Sequence, residues 1–208
     1  NTIVVLVAGS SMAIGWMDQH IPAIIDAWYP GEQGGTAIAE VLFGDYNPAG
    51  RLPLTFYNSI EDLPDFDDYN VKNNRTYMYF EGKPLYAFGY GLSYTKFDYR
   101  NLNIKQDTQN VTLNFSIKNS GKYNGDEVAQ VYVKFPDQGI KTPLKQLKGF
   151  KRVHIKKGAT EQISIEIPKE ELRLWDDQKK QFYTPSGTYH FMVGKSSDNI
   201  CLQKTAEL

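Results

Sequence analysis

WYPGEQGGTAIAEVLFGDYNPAGRLPLTF, the stretch Trp28–Phe56, decides how this chain folds. Apolar residues four positions apart within it predict one amphipathic helix. Glu32 is expected at the start of that helix, where negative charge is favourable, and Gly44 at its end, where a left-handed residue is needed. The adjacent Gly34 and Gly35 weaken an isolated helix by roughly 1 kcal/mol each. We therefore expect a close approach of another backbone or of a ligand at these glycines.

Several long motifs in and after this stretch carry a family resemblance. They are the segments 27–35, 37–44 and 47–53, followed by the segments 75–80 and 84–95. The first three closely resemble the late part of the α/β sandwich domain of glycoside hydrolase family 3. The last two resemble the segment that leads into that family's fibronectin type III-like domain. The resemblance extends over essentially the whole chain.

The composition of the 208 residues bounds the possible functions. Apolar residues make up 41% and charged residues 23%, which is typical of a globular protein. The formal net charge of −1 gives no electrostatic reason to expect nucleic acid or an anionic membrane as a partner. No run of about 18 apolar residues is present, so no membrane-spanning helix is expected. The single cysteine, Cys201, excludes an internal disulfide, and its apolar neighbours predict a buried core thiol.

Residues 1–56 are interpreted as the C-terminal portion of the α/β sandwich domain. The run Ile3–Ala8 is apolar throughout, which predicts a strand buried on both faces of a parallel sheet. A second parallel strand is expected over Ala23–Trp28. Two strands and one helix cannot cover both faces of such a sheet. The domain is therefore incomplete or takes the rest of its sheet from elsewhere.

Residues 57–96 are interpreted as an aromatic-rich linker. Its acidic run Asp65–Asp68 suggests either a Ca²⁺ site or a solvated loop, and the loop is favoured because the glycine and final glutamate of an EF-hand loop are missing. The linker aromatics admit two interpretations, sugar stacking or joining two domains, and the second is favoured because buried rings contribute large areas. These aromatics are Tyr77, Tyr79, Phe80, Tyr86, Phe88, Tyr90 and Tyr94.

Residues 97–208 show the two-residue period of half-buried strands. The inward positions predicted from it are Val111, Leu113, Phe115, Ile117, Ala129, Val131, Val133, Phe135, Ile163, Ile165, Ile167, Tyr189, Phe191 and Val193. Short alternating strands separated by turn signals predict an all-β fibronectin type III or immunoglobulin-like sandwich. A turn over Pro168–Leu172 is expected to cross it. The fold class is thus mixed, a partial α/β segment followed by a β-sandwich.

The chain offers no catalytic pair of its own. A retaining glycosidase needs two carboxylates about 5 Å apart. The resemblance implies an aspartate nucleophile in an N-terminal barrel and a glutamate acid/base upstream of Ile3, so no catalytic residue is assigned here. His20, His154 and His190 are isolated, so neither a metal site nor a cofactor is expected.

Two residues are candidate substrate-binding groups, and two arginines are candidate clamps. Ser11 lies in the loop after the first strand and Glu32 in the loop after the second, where α/β sheets place ligand-binding loops. For Arg51 and Arg75 a structural clamp that pairs with a carboxylate such as Asp45 is favoured over a role as a sugar ligand.

The resemblance predicts the C-terminal part of a retaining, exo-acting β-glycosidase. The block Arg75–Thr95 favours a β-xylosidase over a β-glucosidase. The partners implied are the N-terminal barrel, the rest of the α/β domain and a β-linked oligosaccharide, and a homodimer and a periplasmic or secreted location are also expected. Two alternatives stay open: a non-catalytic carbohydrate-binding module using the aromatics of Tyr86–Tyr94, and a purely structural brace.

Overall fold

A computed structural model describes residues 2–208. The chain begins with an α/β part, continues through a linker and ends in a β-sandwich. The elements of the first two parts are β1 Ile3–Leu6, α1 Gly15–His20, β2 Ala23–Asp26, α2 Gly34–Phe43, a 3₁₀ turn Ile60–Asp62 and α3 Thr76–Tyr79.

The α/β part contains a two-stranded parallel sheet, with Ile3 opposite Ala23 and Leu6 opposite Asp26. Each strand ends two residues before its predicted end, β1 at Leu6 and β2 at Asp26. Leu6 is 8% exposed but Ile3 is 50% exposed, so β1 is not buried on both faces by the residues described here. The expectation of full burial was wrong for this chain because too few elements are present to cover the sheet.

Helix α1 lies where the sequence predicted only a loop. It has six residues and no side-chain cap, so it lacks the signals by which a helix is recognised in sequence. Trp16 and His20, one turn apart, stack with ring centroids 4.6 Å apart, and His20 Nδ1 lies 2.7 Å from the Trp16 carbonyl oxygen. This local pair contributes to holding the short helix together.

Helix α2 confirms the main prediction from the opening stretch, with one shift. It begins at Gly34, so Glu32 lies just before it, and it ends at Gly44 in the left-handed conformation with φ 84°. A Cβ on Gly34 would lie 2.5 Å from Cβ of Pro30, so the close approach there is that of a side chain from the preceding turn and not of the backbone or ligand that was predicted. Apart from its chain neighbours and the backbone of its own helix, no described atom lies within 4 Å of a Cβ built on Gly35, so the approach of a ligand to that glycine stays a prediction.

The acidic linker loop is held by its own hydrogen bonds. Asp68 accepts from the Asn70 amide at 2.9 Å and from Asn73 Nδ2 at 2.8 Å. Those bonds hold the pKa of the Asp68 carboxyl below its usual range. Within residues 2–208, no three histidine, cysteine, aspartate or glutamate side chains are grouped as metal ligands would be. The preference for a solvated loop over a Ca²⁺ site at Asp65–Asp68 stays a prediction.

The third part is an antiparallel sandwich of two sheets and a small ribbon. Its strands are β3 Phe97–Gln106, β4 Asn110–Asn119, β5 Gly125–Lys134, β6 Gln146–Ile155, β7 Thr160–Pro168, β8 Leu174–Asp176, β9 Gln181–Tyr183, β10 Thr188–Gly194 and β11 Ile200–Glu207. One sheet has the order β11-β10-β5-β6, the other the order β3-β4-β7, and β8 pairs with β9. This is the sandwich that the two-residue period predicts, with a 3₁₀ turn at Lys169–Leu172 where the crossing turn was expected.

The core of the sandwich lies between the inner faces of the two sheets. All fourteen of the predicted inward residues are buried and belong to one cluster. The two-residue period places Ser116 on the outer face of β4, but it is also buried, and its hydroxyl donates to the carbonyl oxygen of its pairing partner Arg100 at 3.4 Å. Cys201 lies half-buried at the edge of this core, so the prediction of a buried core thiol was wrong. Its partial burial raises the pKa of the thiol.

Candidate functional site

The loops that follow β1 and β2 lie against each other at the carboxyl ends of the two strands. Tyr29 packs over Gly9 so closely that a Cβ on Gly9 would lie 2.5 Å from Cε2 of the ring. The absence of a side chain at Gly9 is therefore what lets the two loops meet. This edge of a parallel sheet is where ligand-binding loops are placed.

Both candidate substrate-binding residues belong to these loops. Ser11 is half-buried in the first loop and Glu32 is exposed in the second. Within residues 2–208, neither side chain has a hydrogen-bond or ion-pair partner. The Ser11 hydroxyl and the Glu32 carboxylate are therefore free to meet a ligand or a further part of the protein.

The linker aromatics attach to helix α1 beside the same loops. The Tyr86 hydroxyl donates a hydrogen bond to Asp18 at 2.6 Å, and the Tyr86 ring stacks on Tyr90 with centroids 5.1 Å apart. Burial and the neighbouring Asp18 carboxylate raise the pKa of Tyr86. One face of Tyr86 is thus covered by protein.

Other linker aromatics join the linker to the sandwich and to helix α2. Tyr77 stacks on Phe88 at 4.3 Å and contacts Tyr132 of β5 edge-on at 5.8 Å. The Tyr94 hydroxyl donates to the Val41 carbonyl oxygen at 2.6 Å. These contacts favour the domain-joining interpretation of the aromatics over sugar stacking.

A buried ion pair connects the α/β part to the sandwich. Arg51 Nη2 lies 2.7 Å from Glu127 Oε2, and the two side chains are 9% and 1% exposed. The other oxygen, Oε1, accepts a hydrogen bond from the Tyr99 hydroxyl at 2.7 Å, and burial beside this carboxylate raises the pKa of Tyr99. The clamp interpretation of Arg51 holds, but its partner is Glu127 rather than Asp45, because β5 brings that carboxylate across the boundary.

Further hydrogen bonds join the three parts of the chain. Asn47 Nδ2 donates to the Asn124 carbonyl oxygen at 2.9 Å, and its Oδ1 accepts from the Ser93 hydroxyl at 2.9 Å. The buried Gln130 donates to the Gly89 carbonyl oxygen at 3.1 Å. Side-chain amides thus satisfy backbone carbonyl groups of another part of the chain, Asn47 that of Asn124 in the sandwich and Gln130 that of Gly89 in the linker.

Arg75 also corrects the clamp prediction in part. Its Nη2 donates to the backbone carbonyl oxygen of Asp65 at 2.9 Å and not to a carboxylate. The arginine closes the acidic loop of the linker rather than forming an ion pair.

Family models match both parts of the chain. The model described as the glycosyl hydrolase family 3 C-terminal domain matches residues 1–94, and that of a fibronectin type III-like domain matches residues 127–197. The chain belongs to glycoside hydrolase family 3. The linker segments 75–80 and 84–95, which carry motifs of this family, are also the segments that contact the sandwich, through Tyr77 and Tyr132 and through Gly89 and Gln130.

Relatives and solved structures of family 3 align with the whole chain. A xylan 1,4-β-xylosidase of Xylanibacter ruminicola is 42% identical over 206 residues, and a periplasmic β-glucosidase of Salmonella typhimurium is 36% identical over 213. The alignments cover 98% and 95% of this chain. A β-glucosidase 3B structure from Thermotoga neapolitana in complex with glucose superposes with a TM-score of 0.91 at 33% identity over 99% of the chain.

This family 3 chain is much shorter than its relatives. It spans 24% of the Xylanibacter ruminicola xylosidase and 31% of the Thermotoga neapolitana structure. The similarity thus concerns only the C-terminal part of each of these proteins. Among residues 2–208, no helix is both long and apolar enough to cross a membrane.

Glu127 is the residue of this site that the sequence prediction missed. It occupies an inward position of β5, two residues before Ala129 and four before Val131. A carboxylate in phase with core residues is a signal that a buried cation must accompany it. The pattern could have marked Glu127 as paired, although it could not have named Arg51, which lies 76 residues away.

Proposed function

We propose that this chain is the C-terminal part of a retaining, exo-acting β-glycosidase, with β-xylosidase activity favoured over β-glucosidase activity. The observation that carries the proposal is the 42% identity to a xylan 1,4-β-xylosidase over nearly the whole chain. The relatives named β-glucosidases align at 31–36% identity, which makes glucose the second candidate sugar.

The chain acts as the scaffold and supplies substrate-side loops, while the reacting carboxylates come from the preceding part of the protein. A retaining mechanism needs a nucleophile and an acid/base about 5–5.5 Å apart. The loops after β1 and β2 lie at the sheet edge where a ligand is bound, with Ser11 and Glu32 unengaged. The proposed partners are therefore an N-terminal barrel, the rest of the α/β domain and a β-linked oligosaccharide.

Two further features belong to this proposal. A periplasmic or secreted location is supported by the relative from Salmonella typhimurium that is named as periplasmic. For the 208-residue chain by itself, a homodimer is supported by exposed apolar residues such as Ile3 and Val7, which the rest of the α/β domain is proposed to cover in the longer protein. The alternative function as a structural brace is favoured by the buried Arg51–Glu127 pair, which fixes the sandwich to the α/β part.

Hydrolysis of aryl β-xylosides and aryl β-glucosides by the full-length protein tests the proposed activity. We expect a higher kcat/KM for the xyloside, because the site is proposed to accept a pentose without the hydroxymethyl group of glucose. A ratio that favours the glucoside would overturn the xylosidase preference. Absence of hydrolysis of both would overturn the glycosidase proposal itself.

Ser11→Ala and Glu32→Ala in the full-length protein test the role of the two loops. Loss of a hydrogen bond to a sugar hydroxyl removes about 1–1.5 kcal/mol, and more for a charged acceptor. We therefore expect each variant to lower kcat/KM for the preferred aryl glycoside by about tenfold. Glu40→Ala, on the exposed surface of α2, is the matched control and should leave kcat/KM unchanged. If both loop variants behave like this control, the loops do not contact the sugar.

A further inference from the structure

A small pocket lies on the boundary between the linker and the sandwich, outside the loops described above. Its volume is about 220 Å³, and it is lined by Arg51, by residues between Tyr90 and Phe97, and by Glu127, Lys195 and Asn199. All of these residues belong to this chain. The pocket is smaller than the roughly 300–1,000 Å³ of sites for drug-sized ligands, so a small ion is the occupant it suits.

The carboxylate of the pocket has hydrogen-bond partners for both oxygens, whereas Lys195 has no ion-pair partner among residues 2–208. Both oxygens of Glu127 are engaged, one by Arg51 at 2.7 Å and one by Tyr99 at 2.7 Å. Lys195 is half-buried, its Nζ lies 6.0 Å from the centroid of the Tyr99 ring, and no carboxylate of residues 2–208 lies within 4.0 Å of it. The exposed Asp198 accepts instead from the Ser196 hydroxyl at 2.6 Å. The pocket therefore has three cationic side chains, Arg51, Lys195 and the exposed Lys96, against one carboxylate, and both oxygens of that carboxylate are already engaged.

The guanidinium of Arg51 also has donors to spare. Of its five N–H groups, one bonds to the Gly50 carbonyl oxygen at 2.9 Å and one to Glu127. Its buried Nε has no acceptor among the described residues. Gly91 leaves room for this group, because a Cβ there would lie 2.1 Å from the Gly50 oxygen and 3.0 Å from Arg51 Nη1. Each of the two Nη atoms keeps one further N–H, and these two donors are the ones that an anion in the pocket would use.

We propose that this pocket binds a small oxyanion between Arg51 and Lys195. Phosphate and carboxylate groups both present the oxygen acceptors that a guanidinium and an ammonium bind through charge-assisted hydrogen bonds. The bound anion would contact Arg51 of the α/β part and Lys195 of the sandwich. Its binding would therefore stabilise the boundary between them.

Calorimetric titration of the 208-residue chain with sodium phosphate, and separately with sodium acetate, tests the proposal at constant ionic strength. We expect saturable binding of at least one anion with one site per chain, and the stronger of the two identifies the source of the oxyanion. Lys195→Met should weaken this binding at least tenfold. Lys204→Met, which removes an exposed lysine of β11, is the matched control and should bind like the unaltered chain.

A second measurement serves if Lys195→Met fails to fold. Acetylation of the unaltered chain by an activated ester, followed by mass spectrometry, reports the reactivity of each lysine. The anion should slow acetylation of Lys195 at least tenfold and leave Lys204 unaffected. The proposal would be overturned if neither anion bound saturably, or if Lys195→Met bound as tightly as the control. It would also be overturned if the anion left the acetylation rate of Lys195 unchanged.

Discussion

Glu127→Ala is expected to lower the free energy of unfolding of this chain by about 3–5 kcal/mol. The substitution leaves the Arg51 guanidinium buried without its carboxylate, and an uncompensated buried charge is strongly destabilising. It also removes the acceptor of the buried Tyr99 hydroxyl, which lies 2.7 Å from Glu127 Oε1. Urea denaturation followed by circular dichroism measures the change.

The neighbouring Asp126 provides a matched control for this result. Asp126 pairs with Arg152 at 2.6 Å, but the arginine side chain is 55% exposed. Exposed ion pairs contribute about 0–1 kcal/mol, so Asp126→Ala should have a small effect. The triple variant Arg51→Met, Glu127→Leu, Tyr99→Phe removes all three polar groups and should recover most of the loss. An effect of Glu127→Ala no larger than that of Asp126→Ala would contradict a decisive role for the buried pair.

Phe191→Ala is expected to destabilise the sandwich by about 3–5 kcal/mol. Phe191 is fully buried in β10, and the ring of Tyr189 lies 6.3 Å from it, centroid to centroid. The cost comes from the lost burial of the ring together with the cavity left in a closely packed core. Differential scanning calorimetry and urea denaturation of the chain measure it.

Phe66→Ala is the control for loss of a phenyl ring without a cavity. Phe66 is 94% exposed in the linker loop, so its removal should change the free energy of unfolding by no more than about 0.5 kcal/mol. Equal effects of the two substitutions would mean that the core of the sandwich is not the cluster between its two sheets.

The sandwich could be predicted in detail because its signal is local and repeated. Alternation places Val111 and Ile117 on one face of β4 whatever the partner strands are, and both are fully buried. The end of helix α2 could be predicted for the same reason, because the left-handed residue that caps a helix is recognised from a single glycine, here Gly44. Helix α1 escaped prediction because six residues without a cap give too little periodicity to distinguish a helix from a loop.

For the contacts between the α/β part and the sandwich, the sequence could predict the type of interaction but not the residues that pair. The sequence indicated that Arg51 is a clamp, but the identity of its partner depends on where β5 lies relative to the α/β part. Nearby Asp45 was the local choice, whereas the actual partner Glu127 is 76 residues away. The meeting of the loops at Gly9 and Tyr29 followed from the parallel pairing of β1 and β2, because the carboxyl ends of paired parallel strands share one edge.

The hydrolysis assay on the full-length protein beside the 208-residue chain tests the central claim most directly. We predict that the full-length protein releases xylose from an aryl β-xyloside, with the β-anomer appearing first in the proton NMR spectrum, as a retaining mechanism requires. The chain alone should release none, because the two reacting carboxylates are proposed to lie in the preceding part. Hydrolysis by the chain alone, or initial release of the α-anomer by the full-length protein, would contradict this account.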